Sequence, residues 1–271
     1  MSESTKEIAA REDEVIARLV AEAPAPGVDI GTAATGQPGP SGDPLVVETF
    51  GDEPHATPVV LVHGGFWRPT IDRTHLRAAA VVLGKHGHRV ALPEYRRVLG
   101  DPRVSLTDLL AVDDLLAAAG WYDGPARPIW VGHSAGGTLA LLRAMQSDRP
   151  AVPVVSLAGV TDLPRGHAEQ LGKGAVTDWM GGGPEDLPEL YAELDPQGGW
   201  TGRGTPHARL LHGQQDATVP AAYSADHPAL HRIVPGAHHA DLVDPASPHW
   251  HHVHTAMLQA HGSLWQDLRR S

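Results

Sequence analysis

The sequence predicts an α/β fold: a mostly parallel central sheet with helices on both faces and a small cap-like excursion. Three observations carry this. From residue 45 onward, short apolar runs alternate with segments of helical periodicity, the pattern of successive strand–helix units. A chain of 271 residues fits one large domain of that kind and can bury a sizeable core. Residues 162–206 interrupt the alternation with Gly, Pro, Trp and acidic residues, as an excursion over the sheet's C-terminal edge would.

Taken in order, Lys6 to Glu22 places Ile8, Val15, Ile16, Leu19 and Val20 at helical spacing beside Glu and Arg, and "APAPG" ends that helix. Gly27 to Pro44, rich in Gly, Pro, Ala and Ser, reads as an exposed connector. Residues 1–44 are therefore an N-terminal helix and connector, and 45–271 the main domain. Its candidate strands are Leu45–Phe50, Pro58–His63, His88–Tyr95, Pro128–Ser134, Val152–Val160, His207–Gly213 and Leu230–Gly236. Helix-like segments lie at Thr74–His86, Ser105–Ala119 and Ala135–Gln146. The first two strands are close enough in sequence for an antiparallel start. No internal repeat is present.

Composition narrows the function. The chain has no cysteine, which excludes disulfides, thiolate catalysis and Cys-ligated zinc. A formal charge of −11 with no Lys/Arg block argues against nucleic acid as a partner. The N-terminus "MSESTKEIAAREDEVIARLV" lacks a signal peptide's apolar stretch, and no segment reaches the roughly 18 apolar residues of a membrane span. The expectation is a soluble, cytoplasmic protein with no membrane partner. With no G-x-G-x-x-G or G-x-x-x-x-G-K-[ST] pattern, no cofactor is implied.

The chemistry enters at "WVGHSAGG". Gly132-His133-Ser134-Ala135-Gly136 lies between a buried-looking strand and the helix-forming "TLALLRAM". A serine on so sharp a turn has a strained backbone, and small residues two before and two after it relieve the clashes. The turn lifts the hydroxyl above the sheet, with a helix N-terminus behind it to favour negative charge. A serine hydroxyl needs a base, and the base an orienting carboxylate. In "LLHGQQDATVP", Asp216 follows a strand and its glycine; in "RIVPGAHHADLVDP", His238 and His239 follow the next strand, and position alone does not separate them. "VLVHGGFWRP" supplies the remaining part. Acyl transfer needs backbone N–H donors aimed at the developing oxyanion. Ala135, after the serine, offers one; Gly65 and Phe66 offer the others, with Gly64 and Gly65 permitting the turn. His63 holds that loop rather than moving protons, and Trp67 packs it.

Together these residues resemble the α/β-hydrolase fold. The order of "HGGFWR", "PEYRRV", "VGHSAGG", "SLAGVTDL", "LLHGQQDATVP" and "PGAHHADLVDP" is similar to bacterial hydrolases of the kynurenine formamidase (arylformamidase) kind, over about Val46 to Val253. The resemblance implies Ser134 as nucleophile, Asp216 as acid, and Gly65, Phe66 and Ala135 as oxyanion donors. The His-x-Asp-Leu context after Pro-Gly implies His239 rather than His238 as base. Two departures stand out. "LGDPRVSLTDL" follows the "EYRRV" motif where a glycine-rich, tryptophan-containing segment is usual. Between "TVP" and "HRIVPG" there are too few residues for a helix of about ten with its two loops. The first alters the pocket rim; the second leaves the acid and base loops less supported.

Trp67, His133 and Trp179 are the candidate substrate-contacting residues; Trp179, Tyr191 and Trp200 in the excursion are either pocket walls for an aromatic substrate or the excursion's own small core. Arg96 and Arg97 either bind an anionic substrate or pair with carboxylates. His249, His251, His252 and His254 have i, i+3 spacings, but they read as a histidine-bearing helix face and no metal is expected. The expected function is hydrolysis of a small ester or N-formyl/aryl amide through an acyl-enzyme, the partner being a small-molecule substrate. Alternatives are a biosynthetic enzyme acting on a lactone, thioester or elimination substrate, and a non-catalytic binder of the same fold. The sequence leaves open a homodimer, and whether the N-terminal helix packs on its own domain.

Overall fold

Valines and leucines that alternate between two faces build the centre of the molecule. In the strand Thr57–Val62, Val59 and Leu61 join one buried cluster while Val60 and Val62 join the other. The computed structural model describes residues 4–32, 46–53, 56–124, 126–203 and 207–268, and among them eight strands form one sheet. The strands are β1 (Val28–Thr32), β2 (Val46–Phe50), β3 (Thr57–Val62), β4 (His88–Pro93), β5 (Ile129–His133), β6 (Val154–Leu157), β7 (Ala208–Gly213) and β8 (Leu230–Val234). Their spatial order is β1-β2-β4-β3-β5-β6-β7-β8. From β4 to β8 every neighbouring pair is parallel, whereas β2 runs antiparallel to β4 and β1 antiparallel to β2.

The helices are α1 (Thr5–Ala21), α2 (Arg77–Lys85), α3 (Pro102–Ala118), α4 (Ala135–Ala144), α5 (Leu163–Ala168), α6 (Leu171–Met180), α7 (Pro188–Leu194), α8 (Pro196–Arg203), α9 (Ala222–Ala225) and α10 (Trp250–Leu268). Leu109, Val112 and Leu116 of α3 and Leu139 to Leu142 of α4 cover one face of the sheet. Leu83 of α2, Val253 and Met257 of α10 and Leu19 of α1 cover the other. The excursion after β6 consists of α5 to α8. No helix among the described residues is long and apolar enough to cross a membrane.

Each of the seven predicted strands is present, mostly with trimmed ends. Two expectations need correction. The segment read as connector contains β1, because Val28 to Thr32 can pair along the free edge of β2; residues 33–45 lie outside the description. The antiparallel start exists, but β2 pairs with β4 and β1 rather than with β3. The short connection before β8 holds only the four-residue α9, in keeping with its length.

A buried ion pair fixes the helix that follows Ser134. On α4, Arg143 has no solvent exposure and donates from Nε to Asp113 Oδ2 of α3 at 2.8 Å, while Tyr122 also donates to that carboxylate. Removing one partner strands the other charge in the core. Asp113→Ala is therefore expected to lower stability by about 3–5 kcal/mol, read as a fall in the urea midpoint. A loss under about 1 kcal/mol would place the pair among those that contribute little.

Candidate active site

Four loops meet at the C-terminal edge of the sheet: those after β3, β5, β7 and β8. Ser134 stands between β5 and α4 with φ 54° and ψ −123°, a conformation that few side chains tolerate. The flanking glycines are needed sterically. A Cβ on Gly132 would lie 2.0 Å from Gly136 O, and one on Gly136 would lie 2.3 Å from Val62 O. The turn is thus wedged between its own helix and the end of β3, and the Ser134 side chain is held at the mouth of α4.

The loop after β3 approaches from the side. A Cβ on Gly64 would lie 2.9 Å from Ser134 Cβ, so this loop can approach the serine only as glycine. Gly65, Phe66 and Trp67 all have positive φ, at 112°, 52° and 52°. Neither Gly65 nor Phe66 donates its backbone N–H to a described residue, and Ala135, first in α4, has no intrahelical partner for its own. His63 holds the loop's base. Its Nδ1 donates to Gly64 O at 2.8 Å, its ring stacks on Tyr95 at 4.4 Å, and Nε2 lies 3.1 Å from Glu94 Oε1. Burial pushes the Glu94 carboxyl up, but His63 and Arg97 more than reverse this and hold it well below the usual carboxylate range.

On the other side, His239 Nδ1 lies 2.7 Å from Asp216 Oδ2. The carboxylate faces Nδ1, so that nitrogen carries the proton and Nε2 keeps its lone pair. Asp216 is buried, and Oδ1 accepts the N–H groups of Thr218 and Val219 at 3.0 and 2.7 Å. Burial raises the Asp216 pKa, but His239 and His212 outweigh it and keep the group ionised far below its ordinary range. His239 shifts upward: burial opposes its charge, while Asp216, aided by Glu12, more than offsets that. The base loop touches the elbow through His133, whose ring lies 4.5 Å from that of His239 and whose Nε2 donates to His239 O at 3.2 Å. No hydrogen bond joins Ser134 to His239 in this arrangement; such contacts often tighten only when substrate is bound. His238 instead faces Asp241, with Nε2 3.5 Å from Oδ2.

Three residues expected to contact substrate lie in the interior. Trp67 and Trp179 have no solvent exposure; they stack on each other at 4.1 Å and 3°, joining the loop after β3 to α6. His133 is also buried, wedged between His75 and His239. All three pack against the elements that carry the site. Tyr191 is buried as well, so the excursion's aromatic residues partly make its own core. Arg96 and Arg97 pair with Asp108 and Glu94 rather than facing a ligand. His251, His252 and His254 lie on α10 with His249 just before it, and among the described residues no three His, Asp or Glu are grouped to hold a metal.

Sequence reading missed two residues. His212 lies 3.2 Å from Asp216 Oδ2. Glu12 of α1 accepts from Ala217 N at 2.9 Å, Thr218 Oγ1 at 2.7 Å and His239 N at 3.0 Å. A signal for Glu12 existed. It shares the buried stripe of α1 with Ile8 and Leu19, where a lone acid needs a partner.

Residues 59–266 match the family model described as Alpha/beta hydrolase family. No protein of curated function matches the sequence. Among solved structures, the chain is similar to esterase B from Lactobacillus rhamnosis inhibited by a C4-C4 SN3 tributyrin phosphonate. The identity is 18%, covering 98% of this chain and 96% of that one, with a TM-score of 0.71. An arylesterase shares 16% identity over 93% of this chain and 91% of its own, TM-score 0.63. A hyperthermophilic esterase from the archaeon Pyrobaculum calidifontis shares 16% over 98% and 94%, TM-score 0.59. At these identities the likeness is one of fold.

Burial keeps several imidazoles neutral, with a consequence for stability. Burial pushes His75 down to about 4, with neighbouring His63 adding to the shift. Burial also holds His133 well below its ordinary value, and pushes His227 to about 4. Between pH 6.5 and about 4 the unfolded chain binds these protons and the folded one does not, so stability falls as pH falls. Asp195, pushed up to about 6 by burial, acts in the opposite sense, but it is one group against three. The urea midpoint is expected to drop across this window, and His75→Gln to flatten the drop. A midpoint that stays level or rises on acidification would contradict the assignment of buried neutral histidines.

Proposed function

Because this chain belongs to the alpha/beta hydrolase family, we propose that it is a serine hydrolase cleaving a small carboxylic ester through an acyl-enzyme. An N-formyl or aryl amide is the alternative substrate at the same site. The observation that carries the reading is the 2.7 Å contact of His239 Nδ1 with buried Asp216, set beside the strained Ser134 turn. Ser134 Oγ attacks the carbonyl carbon, and His239 Nε2 takes its proton. Asp216 holds the ring in the tautomer this requires and stabilises the imidazolium that forms. The tetrahedral oxygen receives the N–H groups of Ala135 and of Gly65 or Phe66, which have no competing acceptor to give up. His239 then passes the proton to the departing alcohol, and water repeats the sequence to release the acid.

Two considerations favour an ester over an aryl amide. Two of the tryptophans that could have contacted an aromatic substrate, Trp67 and Trp179, are stacked in the interior. The solved structures similar to this one in fold include an esterase inhibited by a tributyrin phosphonate, which points toward short acyl chains. The order of motifs shared with formamidases supports the alternative.

The test is hydrolysis of p-nitrophenyl butyrate beside N-formylkynurenine, with Ser134→Ala as blank. Ester turnover is expected to fall about 10³-fold or more in the variant. The base must be neutral to accept a proton, and its pKa is raised. The acid limb of kcat/KM is therefore expected above the ordinary imidazole value of 6.5, activity falling as pH drops through it. Preference for the formamide would move the assignment to the amide. If neither substrate turns over and a fluorophosphonate does not label Ser134, the protein is a binder and the reading fails.

A further inference from the structure

The N-terminal helix takes part in the site's architecture. Glu12 is only 2% exposed, and a carboxylate so placed is tolerated only where donors surround it. Its three donors come from two different loops. Ala217 N and Thr218 Oγ1 lie one and two residues beyond Asp216, and the third donor is the backbone N–H of His239 itself. One carboxylate thus spans the acid loop and the base loop, which the chain itself joins through the four-residue α9 and the edge strand β8. The helix that carries it is fixed independently. Ser4 and Glu7 form a capping box at its start, Leu19 enters the core, and Arg18 pairs with Asp244 at 2.5 Å.

We propose that Glu12 is a positioning residue for the hydrolytic centre: by clamping the Asp216 and His239 loops to α1, it holds the base against its carboxylate. The consequence for turnover rests on the serine hydrolase reading, but the clamp itself can be read on the imidazole. Glu12 also places negative charge behind His239. The groups around that ring are Asp216 across the hydrogen bond and His212 beyond it. His133 faces it from the end of β5, with His75 behind. On the same loop are His238 and Asp241, with Arg11 of α1 near His238. Of these acids, Asp216 and Glu12 are the ones that raise the His239 pKa.

The experiment compares wild type, Glu12→Gln and Glu12→Asp by NMR titration of His239, assigned through its loss in His239→Gln, and by kcat and KM for p-nitrophenyl butyrate. Glutamine keeps the size and one acceptor oxygen but removes the charge. The His239 pKa is expected to drop by about half a unit, moving the acid limb of kcat/KM to lower pH. Aspartate keeps the charge and withdraws the carboxylate by one methylene. There kcat is expected to fall about tenfold with KM unchanged, while the titration stays near wild type. A folded Glu12→Gln protein whose titration coincides with wild type, together with unchanged kcat in Glu12→Asp, overturns the proposal. If the glutamine variant does not fold, the aspartate variant decides: unchanged kcat overturns it and a fall with constant KM supports it. A wild type with no turnover would sink the hydrolase reading instead, and the glutamine titration would then decide the role of Glu12: a lowered His239 pKa supports it, and coincidence with wild type overturns it.

Discussion

A carboxylate out of reach of water must be satisfied by the protein around it, and Asp216 places that demand on the loops after β7 and β8. Two backbone N–H groups close the turn on Oδ1, and two imidazoles share Oδ2. The demand propagates. His212 Nε2 lies near both Asp216 and Val219 O, 2.9 Å from the latter, so it carries the proton; Nδ1 is then left to accept from Ser224 Oγ at 2.7 Å. The same carboxylate sets the tautomer of His239 and leaves Nε2 as the acceptor that the proposed chemistry needs. A single buried charge therefore fixes two rings, one turn and the start of α9.

The second constraint is steric and lies across the cleft. The left-handed backbone of Ser134 exists only because Gly132 and Gly136 leave room for each other and for the end of β3. The loop after β3 is held from both sides. Below it, His63, Tyr95, Glu94 and Arg97 form a buried polar network. Above it, Trp67 stacks on Trp179, Arg68 donates to Gly172 O at 2.8 Å, and Gly172 packs so closely on the Phe66 ring that a Cβ would lie 2.8 Å away. The excursion acts here as the upper jaw on the proposed oxyanion loop. Preorganised donors of this kind stabilise charge without rearranging during the reaction.

The parts legible in the sequence were those governed by local chemistry. Strand–turn–helix around Ser134, glycines where loops crowd, and polar residues just past strand ends are patterns a dozen residues long, and the structure places Ser134, Asp216 and His239 after β5, β7 and β8. What stayed hidden depended on distant partners. β1 is a strand because an edge of β2 was available, and its Gly-containing sequence gives no such signal by itself. Trp67 read both as packing its loop and as a substrate contact, and Trp179 both as a pocket wall and as core, because tryptophan suits each role. Whether an aromatic ring faces a cavity or another ring is decided by residues more than a hundred positions away. The partners of Glu12 were hidden for the same reason, lying 205 to 227 positions along the chain, although its place on the inward stripe of α1 was a local signal.

The tether to the N-terminal helix follows from economy elsewhere. Among the described residues β8 is an edge strand, bonded to β7 alone, and Leu230, His231 and Arg232 at its start are exposed; burial begins only with Ile233 and Val234 next to the base loop. β8 is paired along its length with β7 but packs into the interior only at its end, so the loop that carries His239 draws on contacts beyond the strand. Support comes from two sides: Ala237, Leu242 and Val243 enter the core beside Val253 and Met257 of α10, and Glu12 receives the loop's backbone. Apolar burial of that kind fixes depth but not angle, since it is non-directional. A hydrogen bond fixes angle, and the proposed base needs it, because its ring must face Asp216 on one edge and the serine on the other. Such contacts reach the loop from two directions: His133 Nε2 donates to His239 O from the end of β5, and Glu12 accepts His239 N from α1, so under the proposed clamp the angle of the base depends in part on a helix more than two hundred residues away.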